Sequence, residues 1–115
     1  MEEKQFKLIY VYINQSQKTV LEEFLQSINF CYYAIQSGLE SVWENGVKHK
    51  NTHVWPGTDC LFWLSVDSDY VDTLIGKLKS FRMTLPENVV MSVTVVPVER
   101  VISNLYKADI TPIDF

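Results

Sequence analysis

The sequence predicts an α+β domain of ferredoxin-like type, β-α-β-β-α-β, in which two helices cover one face of a four-stranded antiparallel sheet. Three observations predict it. Four runs, at 6–13, 30–43, 60–66 and 89–96, are rich in β-branched and aromatic residues. Two intervening segments carry apolar residues at helical spacing instead. The alternation of these runs gives the order of elements, and 115 residues is the size of one domain able to bury a core.

The first strand, 6–13, reads Phe-Lys-Leu-Ile-Tyr-Val-Tyr-Ile and stops at Asn14. A helix over 16–28 follows, because Val20, Leu21, Phe24, Leu25 and Ile28 fall on one side and Glu22, Glu23 and Gln26 on the other. The second strand, 30–43, is expected to bend at Gly38, since glycine inside a strand marks a bulge. Residues 60–66 form a short apolar run between Asp59 and Asp67, as suits a central strand. Asp67 and Asp69 supply a helix cap and an acidic first turn, and Val71, Leu74, Ile75, Leu78 and Phe81 form the apolar stripe of a second helix. Pro86, Glu87 and Asn88 make a turn into the last strand, 89–96, which ends at Pro97. Apolar residues occur on both parities of the second and last strands, so the face without helices needs cover, most simply from copies of the chain.

Composition narrows the function. The formal net charge of −4, without a Lys/Arg cluster, gives no attraction to phosphate backbones, so nucleic acid is not an expected partner. No apolar run approaches the roughly 20 residues of a membrane span, and the polar, acidic start Met-Glu-Glu-Lys-Gln is unlike a secretion signal. A cytoplasmic protein with reduced Cys31 and Cys60 is expected. There is no Ser/His/Asp or Cys/His motif, so the chain is not expected to be an enzyme.

Residues 43–60 hold both histidines, two tryptophans, two glycines and Cys60 in a polar connection between strands. Long connections in compact domains tend to be functional. His49 and His53 are four apart: a helical turn puts both imidazoles on one side, whereas an extended chain separates them by about 13 Å. Imidazole suits Cu or Zn, and Cys60, Asp59 or Glu44 could complete a site. His49, His53 and Cys60 are therefore the candidate metal ligands, against a plain reading as two solvated histidines and a small core residue. Trp43 and Trp55 are candidate anchors for an effector or partner, while Trp55-Pro-Gly57 equally reads as a rigid turn. Glu99 and Arg100 read as an ion pair between subunits or at a helix end ahead of a ligand role.

The last strand runs into Pro97-Val-Glu-Arg-Val-Ile102, which resembles the final strand and following segment of nitrogen regulatory P-II proteins. The apolar first strand, the passage through Ser27, Ile28 and Asn29 into the second strand, the loop after it and the Asp-rich start of the second helix follow the same order. The resemblance covers about residues 6–102, a P-II-like domain over 1–102 with a C-terminal tail over 103–115. It is that of a divergent P-II-like protein, related in fold to the compact divalent-cation tolerance proteins. Both groups are trimers packed around an axis, so the resemblance implies a homotrimer, a signalling role and a regulated partner such as a membrane transporter. P-II proteins hold adenine nucleotides with a glycine-rich, lysine-containing loop and with basic residues after the last strand. This chain has Met83-Thr-Leu-Pro-Glu-Asn88 and Ser103-Asn-Leu-Tyr106 there, neither a recognisable phosphate cradle. The leading expectation is a trimeric sensor whose loop 43–60 answers a small effector, with a transition metal, Cu or Zn, as first candidate. A nucleotide-binding regulator and a ligand-free structural trimer are the alternatives.

Overall fold

The computed structural model describes residues 5–43, 46, 48–50 and 57–102. His53, Trp55 and the tail 103–115 lie outside the described residues.

Strand β1 (Phe6–Asn14) leads through a 3-10 turn into helix α1 (Lys18–Ser27). Strands β2 (Tyr33–Leu39), β3 (Ser41–Val42), β4 (Lys48–His49) and β5 (Asp59–Asp67) follow, then a second 3-10 turn, helix α2 (Val71–Arg82) and strand β6 (Met91–Pro97). The main sheet has the order β2-β5-β1-β6 with every pair antiparallel, which is the expected ferredoxin-like arrangement.

Alternation along the two central strands decides the layers. Ile9, Val11 and Ile13 of β1 stand opposite Leu64, Phe62 and Cys60 of β5. These residues are fully buried, in one cluster with Leu21 and Leu25 of α1 and Val71, Leu74, Leu78 and Phe81 of α2. Phe24 and Phe81 stack at 4.8 Å between ring centroids, joining the two helices. Both helices therefore sit on one face.

The other parity carries Leu8, Tyr10 and Tyr12 of β1, opposite Ser65, Trp63 and Leu61 of β5 and Val96, Thr94 and Ser92 of β6. Trp63 packs on Tyr10 with centroids 5.0 Å apart and is still 39% exposed. This face is rich in aromatic and apolar side chains and, among the described residues, has no helix over it.

Gly38 bends β2 as expected. Its φ is +74°, and the pairing with β5 shifts register between Gln36 and Leu39. Beyond the bend the chain departs from expectation. Residues 41–42 leave the main sheet and pair with 48–49 as a separate two-stranded ribbon, with Ser41 opposite His49 and Val42 opposite Lys48. The second strand thus ends at Leu39 instead of Trp43, because the shift at Gly38 turns the following residues away from β5.

Candidate functional site

The ribbon β3/β4 is fastened to the fold at Asp59. Two-residue alternation puts Ser41 and Trp43 on one side of β3, and the antiparallel register sets His49 across from Ser41. All three side chains meet the Asp59 carboxylate. Ser41 Oγ and Trp43 Nε1 donate to Oδ2, the latter at 3.1 Å. His49 Nδ1 lies 2.8 Å from Oδ1, without the alignment of a hydrogen bond. Asp59 is fully buried, and a carboxylate in that position persists only when its oxygens are partnered. The ribbon supplies two donors to Oδ2 and sets the His49 imidazole beside Oδ1.

Gln15 pins both ends of the connection from β2 to β5. Its side-chain oxygen accepts from Gly38 N and from Thr58 Oγ1, each at 2.8 Å, and its backbone N–H donates to Thr58 O at 3.0 Å. Gly57 has φ +86°, the left-handed region that favours glycine, while the rest of the expected Trp55-Pro-Gly57 turn lies outside the described residues. Beside the ribbon a concavity of about 240 Å³ is lined by Tyr12, Ser41, Val42, Trp43 and Ser92. Trp43 closes one side of it, edge-on to Tyr12 with centroids 6.0 Å apart.

The candidate metal ligands are divided by the sheet. His49 belongs to the ribbon, on the Asp59 side. Cys60 points to the helix-covered side, where it is fully buried and its thiol faces Ile13 O at 3.6 Å. Burial, reinforced by the neighbouring Asp59 carboxylate, pushes that thiol up to about 11. It is therefore protonated near neutral pH, in keeping with a small core residue. Among the described residues, no group of three or more His, Cys, Asp or Glu converges as a metal centre. His53 and Trp55 lie outside the described residues.

The reading of the residues missed Asp59 as the hub. It stood as a strand boundary and a spare ligand. An acid directly preceding a fully apolar strand, with Ser41 and Trp43 at two-residue spacing upstream, was the available signal.

No glycine cradle forms after α2. Instead Arg82 wraps the turn, its guanidinium donating to the carbonyls of Pro86 at 3.2 Å, Glu87 at 3.1 Å and Val89 at 2.9 Å. The cation nearest that turn is thus occupied by backbone oxygens.

No protein-family model and no curated protein matches the chain. Solved structures do. One is CPII, a nitrogen regulatory PII-like protein from Thiomonas intermedia K12, bound to ADP, AMP and bicarbonate. It aligns with a TM-score of 0.58 at 15% identity, over 83% of this chain and 89% of CPII. The chain has a PII-like fold. A second structure of CPII with the same ligands gives 0.59 at 14% identity over 85% and 99% of the two chains. A third, bound to ADP and bicarbonate, gives 0.58 at 16% identity over 83% and 89%. The PII-like fold accounts for the strand order.

Proposed function

We propose that the protein is a trimeric PII-like regulator in which the segment between β2 and β5 reports the binding of a small effector to a partner protein. The observation that carries this reading is the fastening of that segment. It leaves the sheet at the Gly38 bulge and returns at Thr58, with Gln15 holding both points. Between them, among the described residues, Ser41, Trp43 and His49 meet one buried carboxylate, Asp59, and Trp43 also packs edge-on to Tyr12. A ribbon whose described side chains converge on one carboxylate can be tied to it or released from it, and a ligand that favours one of these arrangements shifts the balance. CPII, with the same fold, binds ADP, AMP and bicarbonate, which makes small anions and nucleotides the first ligands to try. The bare face, with Tyr10 and Trp63 at its centre, supports closure by copies of the chain.

The same geometry favours a second effector class. A carboxylate beside one imidazole nitrogen is the common way of orienting a histidine whose other nitrogen binds metal. Asp59 Oδ1 stands at Nδ1 of His49, which leaves Nε2 for Cu or Zn. His53 is the nearest further imidazole in sequence. Ligation by Cys60 requires its thiol to leave Ile13 O and lose its proton, so His49 and His53 carry this reading.

The test is a thermal-shift and limited-proteolysis panel on the untagged chain with ADP, AMP, bicarbonate, Cu and Zn. An effector raises the melting temperature by mass action and changes cleavage within residues 43–58. A metal effect is lost in His49→Ala/His53→Ala, whereas a nucleotide or bicarbonate effect survives it. No shift and no change in cleavage with any of the five overturns the sensor reading in favour of a structural trimer.

A further inference from the structure

Strand β6 is an outer strand of the sheet: in the order β2-β5-β1-β6 it pairs, among the described residues, with β1 alone. Its Met91, Val93 and Val95 stand opposite Ile13, Val11 and Ile9 of β1, so they point to the side that carries the helices. The helices leave them partly uncovered, with Val93 37% and Val95 38% exposed. Between α2 and β6 lies a groove of about 180 Å³, lined by Ile75, Leu78, Lys79, Arg82, Met91 and Val93. The Arg82 guanidinium is turned to the carbonyls of Pro86, Glu87 and Val89, which leaves Ile75, Leu78, Met91 and Val93 as an apolar floor. An apolar groove beside an unpaired strand edge fits one more strand, whose backbone pairs with the edge and whose alternate side chains enter the groove.

The sequence beyond the described residues has the pattern of such a strand. Within 103–115, Tyr106, Ala108 and Ile110 alternate with Lys107, Asp109 and Thr111, and Pro112 closes the run. Period-two alternation ended by proline suits a strand at a sheet edge with one face covered. The reach is sufficient. The described chain stops at Ile102, shortly after the end of β6 at Pro97, and Val93 lies back along β6 from Pro97 by about 13 Å. Residues 103–115 span about 43 Å when extended. Because the alternating run is joined to β6 through 98–105, closure is local and its entropic cost small. The tether also gives the run an effective concentration on the order of millimolar, which an unlinked peptide has to match.

We propose that residues 106–111 of this chain add a strand antiparallel to β6 and fill the groove between α2 and β6. In this pairing Ile110 stands opposite Val93, Ala108 opposite Val95 and Tyr106 opposite Pro97. The register sets Ile110 over Ile75 and Leu78, and it brings Pro112 beside Met91, where both the groove and β6 end. Lys107, Asp109 and Thr111 take the other parity, beside Val96, Thr94 and Ser92, and residues 98–105 make the reversal. The added strand hides the edge of β6 from other chains, while the sheet face with Tyr10 and Trp63 stays available. The inference stands apart from the effector reading, since it uses nothing of Asp59 or its ribbon.

The experiment is disulfide trapping with diamide in the full chain carrying Cys31→Ser, which removes the exposed thiol. Val93→Cys/Ile110→Cys is expected to form its link within one chain, running as a single chain on a non-reducing denaturing gel with two fewer free thiols. Val93→Cys/Asp109→Cys, whose second thiol takes the other parity, is expected to link roughly tenfold more slowly or less. In Ile110→Asp, with the cysteines and valines intact, the melting temperature is expected to fall by about 3 °C or more with unchanged far-UV circular dichroism. Amide exchange in β6 is expected to quicken roughly tenfold in the same variant. Absence of the link in folded Val93→Cys/Ile110→Cys overturns the proposal. So do links between chains, which put a second copy on this edge, equal linking rates for the two pairs, or unchanged β6 exchange in folded Ile110→Asp.

Discussion

His49 Nδ1 and Asp59 Oδ1 are 2.8 Å apart, and Asp59 is the one fully buried acidic side chain among the described residues. The contact joins an exposed ribbon to a central strand. Because Ser41 and Trp43 share the same carboxylate, the ribbon stands or falls as a unit with it.

Asp59→Asn is the direct test of that dependence. The amide keeps the shape but offers one acceptor oxygen in place of two, leaving either His49 or the Ser41 and Trp43 donors without a partner. Unfolding in urea is expected to show a loss of about 1–3 kcal/mol. Proteolytic cleavage between residues 43 and 58 is expected to speed up more than global unfolding does. Unchanged cleavage would mean that the ribbon is held by something else.

Trp43→Phe separates the hydrogen bond from the packing. The ring still meets Tyr12, but the Nε1–H donor to Asp59 is gone. A cost of about 1–2 kcal/mol is expected, and it should shrink to a few tenths in an Asp59→Asn background, where the acceptor is already compromised. A double-mutant cycle in urea measures this.

The cysteines should behave oppositely. Cys31 is exposed and Cys60 buried, so a thiol reagent at pH 8 is expected to modify Cys31 at once and Cys60 only on unfolding. The thiol of Cys60 also predicts an alkaline limb of stability. Its value is raised from 9.0 to about 11 on folding, so the unfolded thiol ionises first. The contribution is complete below about pH 9 and is lost as pH rises towards 11. The fall in melting temperature across that window should be shallower in Cys60→Ala than in the parent chain.

Much of this architecture was legible in residue order. The four-strand, two-helix pattern followed from apolar spacing, because buried strands and amphipathic helices impose period-two and helical repeats over many residues. Gly38 announced its bend, and the Asp67 cap was readable from its position before an apolar stripe. The ribbon was not legible. Two-residue strands such as Ser41–Val42 and Lys48–His49 are too short and too polar to show a period. Burial of Asp59 depends on partners 10 to 18 positions away in sequence, which local pattern does not encode. Cys60 was placed with the histidines by proximity in sequence, and strand alternation sends it to the opposite face from His49.

The most direct test is native mass spectrometry of the untagged protein beside Trp63→Arg, which puts a charge at the centre of the bare sheet face. The parent chain is expected to appear at three times 13.4 kDa, and Trp63→Arg as a folded monomer. A monomeric parent chain would contradict the trimeric PII-like reading, and a trimer that survives Trp63→Arg would remove the bare face as its interface.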